Sequence, residues 1–129
     1  MKEHGNYSFE WQQGILILSL QGAFNEQAIT QFFNEVTQSV LASKRTHWVL
    51  LSRVDETMLG SLEVLDIIKG AYVWGMEQGC IAAAISGANF IVKDIFTSYF
   101  DTLAINTRIC VDQQEAISWL AGELKKAEL

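Results

Sequence analysis

From residue 14 onward the chain alternates short apolar runs with amphipathic stretches, and no other feature constrains its fold as strongly. The runs are Ile15-Leu16-Ile17-Leu18, Trp48-Val49-Leu50-Leu51, Cys80-Ile81-Ala82-Ala83-Ala84-Ile85 and Arg108-Ile109-Cys110-Val111. Short apolar runs bounded by turn residues read as buried strands. Each is followed by a helical pattern. Strand–helix alternation requires crossover connections, which build a mostly parallel sheet with helices on its faces.

The chain before this repeat behaves differently. Tyr7, Phe9 and Trp11 alternate with Ser8 and Glu10, the pattern of a half-exposed strand. Gln12-Gln13-Gly14 turns that strand back into Gly14–Leu20, making an antiparallel hairpin. The first strand is therefore expected at the sheet edge and the second inside it. Strand three runs from about His47 to Arg53, strand four from Cys80 to Ser86 and strand five from Thr107 to Val111. The expected class is α/β, a five-stranded mixed sheet in the order β-β-α-β-α-β-α-β-α.

Helix ends carry recognisable caps. Asn25 starts the first helix, whose apolar face is Ile29, Phe32, Phe33, Val36 and Val40, and which ends near Ser43-Lys44. Ser61 caps the second, with Glu63 in its first turn and Gly79 at its close. Ile91, Ile95, Phe96, Tyr99, Phe100 and Leu103 form the buried face of the third. Asp112 and Glu115 form a capping-box-like start to the fourth, with Ala116, Ile117, Leu120, Ala121 and Leu124 as its stripe. The second helix has a surplus: one stripe is Leu65, Ile68, Tyr72 and Met76, the other Val64, Ile67, Ala71 and Trp74. The extra stripe packs on a neighbouring helix or forms a self-association or partner surface, so Trp74, Ile67 and Val64 are interface candidates.

Composition narrows the function classes. At 129 residues the chain forms one domain, and 50% apolar residues suffice for a core. The net charge is −6 and the basic residues are scattered, which argues against nucleic acid or an anionic membrane as partner. No apolar stretch approaches the ~18 residues of a membrane span. Met1 to Asn6 lacks the apolar core of a signal peptide, so the expected compartment is the cytoplasm. Cys80 and Cys110 fall at opposite ends of parallel strands, too far apart to bond, and read as buried, inert thiols.

Chemistry-bearing clusters are sparse. Asp55 and Glu56 lie in the polar loop after strand three, at the rim where ligands of open α/β sheets bind. No His, Lys or Cys is placed beside them, and neighbouring carboxylates in a loop ordinarily point apart into solvent. His4 and His47 are separated from each other and from both cysteines, so no metal site is expected. There is no nucleophile elbow and no phosphate-cradling glycine loop. No cofactor is implied.

The ordered set of elements resembles the STAS/SpoIIAA-like family over about Tyr7 to Leu124. The resemblance is carried by the opening hairpin, Gly22-Ala23-Phe24 before helix one, Gly60-Ser61-Leu62-Glu63-Val64-Leu65 after strand three, and Ala116-Ile117-Ser118-Trp119-Leu120 near the end. It implies a SpoIIAA-like βα superhelix and a non-catalytic, regulatory, partner-binding role. It also implies phosphorylation of a Ser or Thr at the start of the helix after strand three, here Ser61 or Thr57. The signalling members place an Asp directly before that Ser. Here Gly60 precedes Ser61 and Asp55 lies further upstream, so the acceptor motif is incomplete and the chain looks closer to the uncharacterised bacterial branch. The superfamily includes the CRAL-TRIO lipid-binding domains, which implies an alternative: a carrier of an apolar small ligand, its pocket lined from seven Phe, four Trp and three Tyr. A rim enzyme is a third, weaker reading, since no nucleophile or base is identifiable.

Overall fold

The computed structural model describes residues 5–55, 57, 59–87 and 90–128. Its main sheet is formed by β1 (Asn6–Gln12), β2 (Ile15–Gln21), β4 (Trp48–Val54), β6 (Cys80–Ser86) and β7 (Asn106–Cys110), in the order β1-β2-β4-β6-β7. As expected, β1 is an antiparallel edge and the remaining pairings are parallel. Two short strands, β3 (Ala23–Phe24) and β5 (Leu59–Gly60), pair in parallel as a separate two-stranded sheet. Both fall in segments expected as turn and loop. Two residues carry no periodicity, and their pairing exists only because the ends of β2 and β4 bring the following segments together.

Helices α1 (Glu26–Ser43), α2 (Leu62–Glu77), α3 (Phe90–Phe100) and α4 (Gln113–Ala127) connect the strands. The expected caps are in place. Asn25 Oδ1 accepts from Ala28 N at 2.8 Å, Ser61 Oγ from Val64 N at 3.3 Å and Asp112 Oδ1 from Glu115 N at 2.8 Å. Glu115 in turn accepts from the backbone of Val111, which completes the start of α4. Val111 itself lies beyond β7 and is 82% exposed, so the last strand ends one residue earlier than its apolar run suggests.

The sheet pleat sorts side chains between two cores. Leu16, Leu18, Leu20, Leu50, Ala83 and Ile85 face α1, α2 and α3. Ile15, Ile17, Val49, Leu51, Ala82 and Ala84 face α4 through Ala116 and Leu120. Small residues at the centre of β6 let helices approach the sheet on both sides. The Arg53 guanidinium donates to Ser19 Oγ and Gln113 Oε1, tying β4 to β2 and to the start of α4.

Glycine is required at the end of α2. Gly79 has φ +105°, and a side chain there would collide with the Thr46 carbonyl oxygen. At Gly75 an added Cβ would lie 3.4 Å from the Trp48 ring, an ordinary contact distance, which places this side of α2 directly against that indole. Trp48 is buried, and its Nε1–H donates to the Gln78 carbonyl at 3.0 Å. Among the described residues, no helix is long and apolar enough to cross a membrane.

Candidate functional site

Helices α1 and α2 cover the same sheet face and touch, yet the sequence leaves their facing sides underfilled. From α1, Thr30, Asn34 and Thr37 line the space beside Phe33, Val36 and Val40, and from α2 the small Ala71 lines it beside Ile67, Ile68, Tyr72 and Trp74. The result is a cavity of about 210 Å³ between the two helices and the sheet. An apolar cavity of roughly 150 Å³ is enough to hold benzene, so this space accommodates something somewhat larger.

Leu16, Leu18, Leu50, Trp48 and Ser52 form the floor. Phe33 on α1 and Ile67 and Trp74 on α2 stand half-buried along the walls. Thr30 and Asn34 are exposed, so the opening lies on that side of α1. Among the described residues, no charged side chain lines the cavity.

Two hydroxyls interrupt the apolar floor. Ser52 Oγ and Tyr72 Oη are 2.8 Å apart in a buried hydrogen bond in which either can donate. Tyr72 is only 6% exposed, and burial pushes its phenol well above the ordinary value. Phe96 and Phe100 hold its ring edge-on. Cys80 also lines the cavity; burial raises its thiol to about 12, although its Sγ donates to the Ala82 carbonyl at 3.4 Å. Every ionisable group here is neutral near pH 7. Burial thus disfavours the ionised form of both groups.

The residues singled out in the sequence do not form a single site. Asp55 and Thr57 do come together at the rim: Asp55 Oδ1 accepts from Thr57 N at 3.0 Å and from Thr57 Oγ1 at 2.6 Å. Thr57 Oγ1 also accepts from Gly22 N at 3.0 Å, so this hydroxyl latches the loop after β4 to the turn after β2. Glu56 lies outside the described residues. Ser61 is held apart from this latch as the exposed N-cap of α2. Among the described residues, no cluster of three His, Cys, Asp or Glu is placed to hold a metal.

The interface candidates divide. Val64 is completely buried in the main core, which removes it from any partner surface. A helical stripe does not distinguish a sheet-facing position from one facing solvent, and the first turn of α2 lies directly on the sheet. Ile67 and Trp74 pack against the core from a half-buried position and line the cavity, so the extra stripe faces α1 and the cavity between the helices. Cys80 and Cys110 are buried and unbonded, one on each face of the sheet. Ser52 and Tyr72 escaped notice as site residues. Their signal was present: Ser52 breaks the apolar run of β4 one residue before Arg53, and Tyr72 is the one hydroxyl on the buried stripe of α2.

No protein-family profile matches the chain, and a search of curated proteins finds no match. Among solved structures, the fold is similar to that of an uncharacterised protein of the DUF3478 family with a SpoIIAA-like fold from Shewanella loihica PV-4. The two are 19% identical with a TM-score of 0.65, over 93% of this chain and 98% of that one. The fold is therefore SpoIIAA-like, as the sequence resemblance implied.

Proposed function

We propose that this SpoIIAA-like domain is a non-catalytic binding module whose ligand is a small apolar molecule held between α1 and α2. The observation that carries this reading is the cavity of about 210 Å³ with apolar floor and walls. Unfilled space of this size leaves part of its lining without contact partners, and an apolar ligand supplies them. Known small-molecule sites share this makeup, mostly apolar lining with a few placed polar groups. The carrier reading thus takes precedence over the regulatory role that the sequence resemblance implies. It is tested by purifying the protein without detergent and extracting it with organic solvent: a stoichiometric apolar compound supports a carrier, and none recovered after exposure to host lipid extract refutes it.

A protein-interaction role at the rim is the second reading, and one observation favours it. Leu62 is 76% exposed beside Ser61 in the first turn of α2, an apolar side chain at a position that nothing in the fold requires. Concentration-dependent assembly lost in Leu62→Ser would support this surface. Sedimentation as a monomer at every concentration, with no partner captured from the host, would count against it.

A further inference from the structure

The hydroxyl pair on the cavity floor has a donor left over. Two hydroxyls carry two O–H donors, and their mutual bond uses one, whichever way it runs. Neither Ser52 Oγ nor Tyr72 Oη has another hydrogen-bond partner among the described residues, although both line the cavity. A buried O–H without an acceptor is unfavourable, and a ligand offering an acceptor at that point removes the deficit. The remainder of the lining discriminates in the other direction. No side chain of either charge lies in it among the described residues, and the nearby thiol and phenol are held neutral by burial. An ionised head group entering this space would lose its hydration without gaining a counter-charge.

We propose that the cavity selects neutral apolar molecules bearing one hydrogen-bond acceptor, such as a hydroxyl, carbonyl or ether oxygen, and rejects ionised acids of the same size. The acceptor sits at the Ser52–Tyr72 pair, and the apolar body lies along Leu16, Leu50 and Trp74. This deepens the carrier function proposed above and rests on it.

The experiment uses three probes of equal chain length, octan-1-ol, n-octane and octanoate at pH 7.5, titrated against the intact protein. The readout is tryptophan fluorescence, because Trp48 and Trp74 both line the cavity. The same titrations are made on the double variant Ser52→Ala/Tyr72→Phe. Replacing both partners of a buried bond with apolar groups of similar shape is structurally mild, and the octanol–octanoate comparison needs no variant at all. The expected result is that octan-1-ol binds the native protein at least a hundredfold more tightly than octanoate. The double variant weakens octan-1-ol roughly three- to tenfold and leaves n-octane within about twofold. Equal binding of octanoate and octan-1-ol, or unchanged octan-1-ol binding in the double variant, overturns the selectivity while leaving the carrier function standing. Binding of none of the three overturns both.

Discussion

Ala71→Leu is expected to make the protein more stable and at the same time unable to bind. Ala71 lies half-buried on α2 and lines the cavity. Leucine adds three carbons pointing into existing space. At about 0.8 kcal/mol per buried carbon, the gain is at most about 2.4 kcal/mol. An independent bound comes from the cavity itself: at about 24 cal/mol per Å³, a sealed void of 210 Å³ would represent about 5 kcal/mol. The opening beside Thr30 and Asn34 keeps the real figure well below that bound. Leucine is nearly as good a helix former as alanine, so α2 loses only a few tenths of a kcal/mol. The net expectation is a stabilisation of about 1–2 kcal/mol, or roughly 4–8 °C in Tm for a domain of this size. Urea unfolding followed by tryptophan fluorescence measures it, with the m-value unchanged. Binding of octan-1-ol should be lost in the same variant. Destabilisation by about 1–3 kcal/mol, the signature of overpacking, would show instead that the space between α1 and α2 is already filled.

Three further outcomes follow from particular contacts. The Cys80 thiol is held up from 9.0 to about 12 by burial, so the folded state keeps a proton that the unfolded state releases. Stability is therefore full below about pH 9 and falls as pH rises toward 12; alkaline denaturation should show a steeper limb in the wild type than in Cys80→Ala. Thr57→Val removes the hydroxyl that bridges Asp55 and Gly22 and should cost about 0.5–1.5 kcal/mol in urea unfolding. The Gly22 amide should exchange faster in that variant, and no change in its protection would show that the latch is dispensable. Ser61→Ala removes the cap on Val64 N and should cost about 1 kcal/mol, whereas Ser61→Asp, which preserves a capping oxygen, should restore most of it.

The large elements were legible because each has a local cause. Ile15 to Leu18 can only be an interior strand once a hairpin precedes it, and Asn25, Ser61 and Asp112 mark helix starts with their own side chains. What was not legible depends on distances between elements. The pairing of Ala23–Phe24 with Leu59–Gly60 joins segments that have no periodicity of their own. The site was half visible for the same reason. Trp74 and Ile67 stood out as surplus apolar residues on α2, but the sequence does not reveal that their surplus faces a cavity. That cavity is lined by short side chains of both helices, Thr30 and Thr37 on α1 and Ala71 on α2, among larger apolar ones, and no single stripe records such a match. Val64 was misplaced because its helical position is indistinguishable from that of Ile67 until the sheet beneath the first turn is known.

The proposed ligand site is the space between α1 and α2. It is tested most directly by native mass spectra of the protein purified from its own host, wild type beside Ala71→Leu. The expected result is a wild-type subunit carrying one small neutral apolar adduct, and a bare subunit for the variant. Bare subunits in both samples, or an adduct unaffected by Ala71→Leu, would contradict it.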